Sequence, residues 1–336
     1  MLWLVSDRIV TQAMIVTYSI NDLVANAHAA DKRICEIVRR TALAHSPVFS
    51  DATGADVYLK LENQQLTGSF KLRGASNRLM TLSAEQRQKG CVTASTGNHG
   101  AAVACAMQKL AISGVIFVPE QTSTTKVEAI RSYGGDVQFF GTDGLDTERH
   151  ARDFADRNKM FYLSPYNDRE VIAGQATCGI EILQTLPDLD AIFVAVGGGG
   201  LISGVASVLK AHDSGIRVYG CQPEASAVMA KSVGAGRILD LASDPTLSDA
   251  TAGGIEAEAI TFELCRQLVD EFVLVSEAQI AAAMRQYIAA FDEAIEGAAG
   301  VALAAMLARQ DVLKGQKVAV IICGGNVSQQ VLDTIE

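Results

Sequence analysis

Between residues 56 and 323, short apolar runs alternate with stretches of helical period, and this alternation constrains the fold more than any other feature of the chain. The runs fall at 56–61, 90–95, 112–118, 137–140, 160–163, 191–196, 218–222 and 318–323. Helical patterns lie at 20–42, 74–82, 101–110, 124–133, 146–158, 171–186 and 201–212. Three more follow at 261–269, 277–291 and 301–313. A strand followed by a crossover helix, repeated, is the pattern of parallel sheet, so an α/β fold is expected. Pro47 is expected to stop the first helix. The loop-like Ser164-Pro165-Tyr166-Asn167-Asp168 marks a crossing between two lobes. The smaller lobe is placed at 85–165, inserted into a larger one made of 20–84 and 166–336.

Residues 1–19 read as a disordered N-terminal extension. Asp7 and Arg8 interrupt its apolar run, which is too short for a signal segment or a membrane span. A net charge of −10 argues against nucleic acid or an acidic membrane as partner. The seven cysteines show no Cys-x-x-Cys pair and no zinc-type spacing. Reduced thiols in a cytoplasmic protein are the expectation, with no metal.

Five segments can carry chemistry. Thr67-Gly68-Ser69-Phe70-Lys71 ends on a lysine at a predicted helix start, with Ser69 as N-cap. A cation there is disfavoured by the helix dipole, and a lowered amine pKa suits attack on a carbonyl. A solvated side chain is the alternative. Gly197-Gly198-Gly199-Gly200 lies between a predicted strand and a predicted helix, where backbone N–H groups can hold a phosphate. Neither the P-loop nor the dinucleotide spacing is met, and a tight strand–helix junction is the alternative. Ser95-Thr96-Gly97-Asn98-His99 opens another helix and suits a carboxylate or a phenolic oxygen, or is simply a capped start. Cys323 ends the last strand as a small hydrophobe or a weak donor to a cofactor nitrogen. Glu296 precedes small residues and reads as a helix N-terminal charge.

Ser69-Phe70-Lys71-Leu72-Arg73-Gly74-Ala75, Ser95-Thr96-Gly97-Asn98-His99, Val171-Ile172-Ala173-Gly174-Gln175, the run 197–201 and Cys323-Gly324-Gly325-Asn326 occur in the order found in one family. From about residue 20 onward the chain resembles the pyridoxal-phosphate enzymes of the tryptophan-synthase β fold (fold type II), above all the threonine/serine dehydratases and serine racemase. The resemblance implies a two-lobed parallel-sheet fold with pyridoxal 5'-phosphate held in the larger lobe. By it, Lys71 would hold the cofactor covalently and act as base, Phe70 would pack on the ring, and Asn98 would bond the phenolic oxygen. Gly197, Gly198, Gly199, Gly200 and Leu201 would take the phosphate, and Cys323 would face the pyridine nitrogen. Ser95, Thr96, Gly97, Asn98 and His99 would take the carboxylate of a small amino-acid substrate.

A neutral thiol cannot keep the pyridine nitrogen protonated as an aspartate would, which makes the cofactor a weaker electron sink. That suits removal of the α-proton coupled to loss of a β-hydroxyl, giving a 2-oxo acid and ammonia. Thr96 stands where racemases of the family carry a serine, so it is a second catalytic candidate and racemisation stays open. Gln222, Ser226 and Val228 stand where the family's divalent-cation site expects carboxylates, so no metal is predicted. The resemblance extends to the hydroxyectoine-utilisation dehydratases, and implies a homodimer. Outside these enzymes, a non-catalytic phosphate- or nucleotide-binding protein is the competing reading.

Overall fold

The computed structural model describes residues 19–335. The extension expected over 1–19 lies, but for its last residue, outside them. Among the described residues there are ten strands: β1 (Leu43–His45), β2 (Asp56–Leu61), β3 (Cys91–Ala94), β4 (Gly114–Val118), β5 (Asp136–Phe139), β6 (Phe161–Tyr162), β7 (Ala191–Ala195), β8 (Arg217–Pro223), β9 (Glu271–Val275) and β10 (Lys317–Ile322). They form a six-stranded sheet, β1-β2-β10-β7-β8-β9, and a four-stranded sheet, β5-β4-β3-β6. Every neighbouring pair is parallel except β1 with β2. The α/β fold with parallel sheets is therefore the one the alternation indicates. The central strands explain why. All of β7 and all but the first residue of β10 are buried, as unbroken apolar runs are when helices cover both faces.

Four local expectations need correction. β1 and β9 are absent from the sequence reading. The first has only three residues, and the second is an edge strand with Leu274 turned outward. Pro47 does not stop the first helix: that helix, expected over 20–42, ends at Ile34, and β1 follows before Pro47. Pro47 instead opens the helix Pro47–Thr53 from N-cap Ser46, because its missing N–H costs nothing in a first turn. The helix expected at 301–313 is two, Gly297–Leu307 and Gln310–Leu313. Lys71 opens its helix as expected, but the N-cap is Phe70 rather than Ser69.

That last helix, Lys71–Met80, is fixed from behind. It crosses Arg169–Thr185 at a point where two glycines meet: a Cβ on Gly174 would lie 2.6 Å from the Arg73 carbonyl oxygen and from Gly74 Cα. The Gly74 N–H donates to Gln175 Oε1 at 3.2 Å. Arg73, fully buried, donates from Nε to Glu62 at 2.8 Å and from Nη1 to Glu181 at 2.7 Å. Lys60 donates to the Thr41 carbonyl at 2.7 Å and pairs with Glu181 at 2.5 Å. Two buried cations thus meet two buried carboxylates, and no charge in the cluster is left alone.

Candidate active site

Loops leaving the carboxyl ends of β3, β7 and β10 turn toward one cavity of about 930 Å³, the place where parallel sheets usually bind ligands. Backbone bonds hold its floor together. The Phe70 N–H donates to the Cys323 carbonyl at 3.1 Å, and the Gly325 N–H to the Gly68 carbonyl at 2.9 Å. The Glu296 N–H donates to the Gly324 carbonyl at 3.2 Å. Lys71, Cys323 and Glu296 are brought to one wall by this ladder, although they lie far apart in the chain.

Lys71 is half-buried, and its Nζ donates to the Pro165 carbonyl at 3.0 Å. Burial brings its amine down to about 8, against the opposing pull of Glu296 and Cys323. The Phe70 ring centroid is 5.3 Å from the same nitrogen. The expected capping by Ser69 is absent: its hydroxyl is buried without a partner.

Across the cavity, Gly197, Gly198, Gly199 and Gly200 connect β7 to the helix Gly200–His212. Gly199 has φ +86°, a region that disfavours any side chain. Gly198 and Gly200 press on Tyr166, where added Cβ atoms would fall 2.4 and 3.0 Å from its atoms. The N–H groups of Gly200, Leu201 and Ile202 open a helix and have no carbonyl one turn earlier. The wall is therefore bare backbone with the positive end of a helix behind it.

Ser95, Thr96, Gly97, Asn98 and His99 all line the same cavity, at the start of the helix Asn98–Leu110. His99 itself is turned inward. Its Nε2 sits 3.2 Å from the Leu163 carbonyl, so that nitrogen carries the hydrogen. Burial holds the imidazole down at about 3. What His99 offers the cavity is its backbone N–H, not a charge. Asn98 donates from Nδ2 to Glu296 at 2.7 Å and accepts from Asn326 at 2.7 Å, so its amide is oriented by protein partners.

Glu296, expected as a helix N-terminal charge, and Pro165-Tyr166, expected as part of a lobe crossing, both line the cavity. Glu296 occupies the N-cap of Gly297–Leu307 but makes no capping bond. Its carboxylate faces the cavity, accepting from Asn98 and from the Cys323 thiol at 3.5 Å. Burial raises it to about 7 and pushes the Cys323 thiol above its ordinary range. The small residues after Glu296 were the available signal. Only the pairing of Glu296 with Gly324, which lies beyond β10 in the chain, gives them meaning. Gln222 is satisfied internally, donating to the Val196 carbonyl at 2.9 Å and accepting from the Ala230 N–H at 2.8 Å. Among the described residues, no group of three or more His, Cys, Asp or Glu could hold a metal ion. None of their helices is long and apolar enough to cross a membrane.

Residues 34–324 match the family described as "Pyridoxal-phosphate dependent enzyme". An L-threonine ammonia-lyase of Thermotoga maritima is 40% identical, across 91% of this chain and 76% of its own. The L-threonine dehydratase catabolic TdcB of Staphylococcus aureus is 39% identical, across 89% and 87%. Among solved structures, the processed form of threonine deaminase isoform 2 from Solanum lycopersicum matches with a TM-score of 0.90 at 32% identity, covering 94% of this chain and 92% of its own. Maize serine racemase matches with a TM-score of 0.88 at 32% identity, covering 93% and 95%.

Proposed function

The chain belongs to the pyridoxal-phosphate dependent enzymes, and from that premise we propose a dehydratase that removes water from a β-hydroxy amino acid such as L-threonine or L-serine, releasing a 2-oxo acid and ammonia. The observation that carries the reading is Lys71: a half-buried amine, lowered to about 8, in the cavity that also holds the glycine turn.

The residues fit pyridoxal 5'-phosphate. The cavity lies within the roughly 300–1,000 Å³ usual for small-molecule sites. The glycine turn is packed so closely against Tyr166 that a side chain at Gly198 would not fit, which leaves bare backbone there, and it ends on a helix N-terminus suited to a dianion. Gly197, Gly198, Gly199, Gly200 and Leu201 would hold the phosphate, Phe70 the ring face, Asn98 the phenolic oxygen and Cys323 the ring nitrogen, with Lys71 as covalent anchor. When bound, the cofactor supplies the electron withdrawal that acidifies the substrate α-carbon.

The chain supplies the rest. Backbone N–H groups at the start of Asn98–Leu110, with Ser95 and Thr96, receive the substrate carboxylate. The Lys71 amine, with a pKa close to neutral, accepts the α-proton as general base, and its ammonium form can return a proton. Neutral His99 adds no charge to compete for the carboxylate. Thr96, which lines the cavity and stands where the family's racemases carry a serine, is the proposed group for proton exchange on the face opposite Lys71.

All cysteines among the described residues are unpaired, which supports a cytoplasmic setting, and we take a homodimer as the assembly. Incubation with L-threonine, L-serine and hydroxyectoine, scored for 2-oxo acid and ammonia, tests the proposal. Ammonia release with L-threonine or L-serine is expected. Exchange of the α-proton with no ammonia would replace the dehydratase by a racemase.

A further inference from the structure

Glu296 has a place in the cavity wall that capping does not explain. It is 4% exposed and sits where Gly324 leaves room for it: a Cβ on Gly324 would fall 2.4 Å from Oε1. Both of its side-chain partners are donors, Asn98 Nδ2 at 2.7 Å and Cys323 Sγ at 3.5 Å, so both favour the ionised carboxylate. A buried carboxylate needs a balancing cation. The titratable groups that face Glu296 are Lys71, from the helix Lys71–Met80, Cys323, after β10, and Asp249, from the 3-10 turn Asp249–Thr251. His99, from Asn98–Leu110, faces Lys71. Cys323 and His99 are neutral at physiological pH, and Asp249 is an anion that repels. Lys71, which lines the same cavity as Glu296 without forming a direct ion pair with it, alone of these groups can balance the charge.

We propose that Glu296 is a positioning residue for the elimination: its carboxylate locks the Asn98 amide and the Cys323 thiol in place and shares the charge of Lys71. The inference rests on reading this cavity as the cofactor and substrate site. The sign of its consequence is definite. A carboxylate beside an ammonium holds the amine's proton more tightly, so removing that charge lowers the pKa of Lys71. Glutamine in its place also offers an NH₂ group to Asn98 or to Cys323, both already donors, and so unlocks one of them.

The test is the pH profile of Lys71 acylation in the full-length chain freed of bound small molecules, followed by mass spectrometry of the Lys71 peptide. The wild-type midpoint is expected near about 8. Glu296→Gln is expected to lower it by about half a unit or more, so that Lys71 reacts faster at pH 7. Glu296→Asp, which keeps the charge, restores most of the shift. Gly324→Ala displaces the carboxylate without removing it and moves the midpoint in the same direction as Glu296→Gln, which keeps the test available should the glutamine variant not fold. A midpoint unchanged in Glu296→Gln, or lowered equally by aspartate, overturns the inference, because a purely structural role leaves the midpoint alone or ignores the charge. A wild-type chain that takes up no pyridoxal phosphate defeats the functional reading instead, and the labelling profile distinguishes the two failures.

Discussion

Lys71 and Glu296 are two ionisable groups whose surroundings move their pKa values toward each other, the amine down to about 8 and the carboxyl up to about 7. The carboxyl has a measurable consequence for stability. Its folded pKa exceeds the ordinary value of 4.5, so the folded state binds the extra proton between those two pH values. The stability that this proton contributes is complete below about pH 4.5 and is lost as pH rises through about 7. In cofactor-free protein, unfolding free energies from urea titrations at pH 5 and pH 7.5 should therefore differ through Glu296 by an amount on the order of 2–3 kcal/mol, and Glu296→Gln should flatten that difference. An equal slope in the variant would assign the pH dependence to other groups. Thr96→Ala should spare ammonia release from L-threonine while reducing any α-proton exchange. Equal loss of both would mean that Thr96 serves carboxylate binding rather than proton transfer. At this scale the sequence named Lys71 by its unusual place at a helix start. It marked Glu296 only as a helix N-terminal charge, because its place in the cavity depends on Gly324 and Asn98, residues distant in the chain that fold against it.

The helix carrying Lys71 and the glycine turn facing it are positioned by packing that tolerates little change. Arg73 is buried between Glu62 and Glu181, so Arg73→Ala leaves two carboxylates with only Lys60 between them. A loss of about 3–5 kcal/mol is expected by urea denaturation, since breaking a buried ion cluster exposes no charge to water. A loss under about 1 kcal/mol would mean that water reaches the cluster. Gly198→Ala puts a methyl group 2.4 Å from the Tyr166 ring. It should weaken pyridoxal phosphate binding by roughly tenfold or more, read from an absorbance titration, because either the turn or Tyr166 must move. Unchanged affinity would show that Tyr166 swings aside freely. Long elements were legible in the sequence because their apolar period is strong, and β2 and the helix Glu277–Phe291 begin and end where the pattern does. β1 and β9 were not, because three-residue and edge strands take their conformation from a neighbour already in place.

For the molecule as a whole, the two sheets aim their carboxyl-end loops at a common cavity, so residues from β3, β7 and β10 and from the segment after β2 act as one site. The α/β class follows from the alternation alone. The convergence of the loops does not, because it depends on strand order, and order is set by which apolar faces bury best against one another. The sequence therefore showed the candidate segments one by one along the chain, and the fold brings them to a common cavity. The central claim is that one amine at this meeting point holds the cofactor. Loading the full-length chain with pyridoxal 5'-phosphate, reducing it with borohydride and mapping the modified peptide tests that claim directly. A reduced pyridoxyl group on Lys71 is expected, with a band above roughly 400 nm lost on reduction. A pyridoxyl group on any other lysine, or a Lys71→Ala protein with the same band and the same turnover, would contradict it.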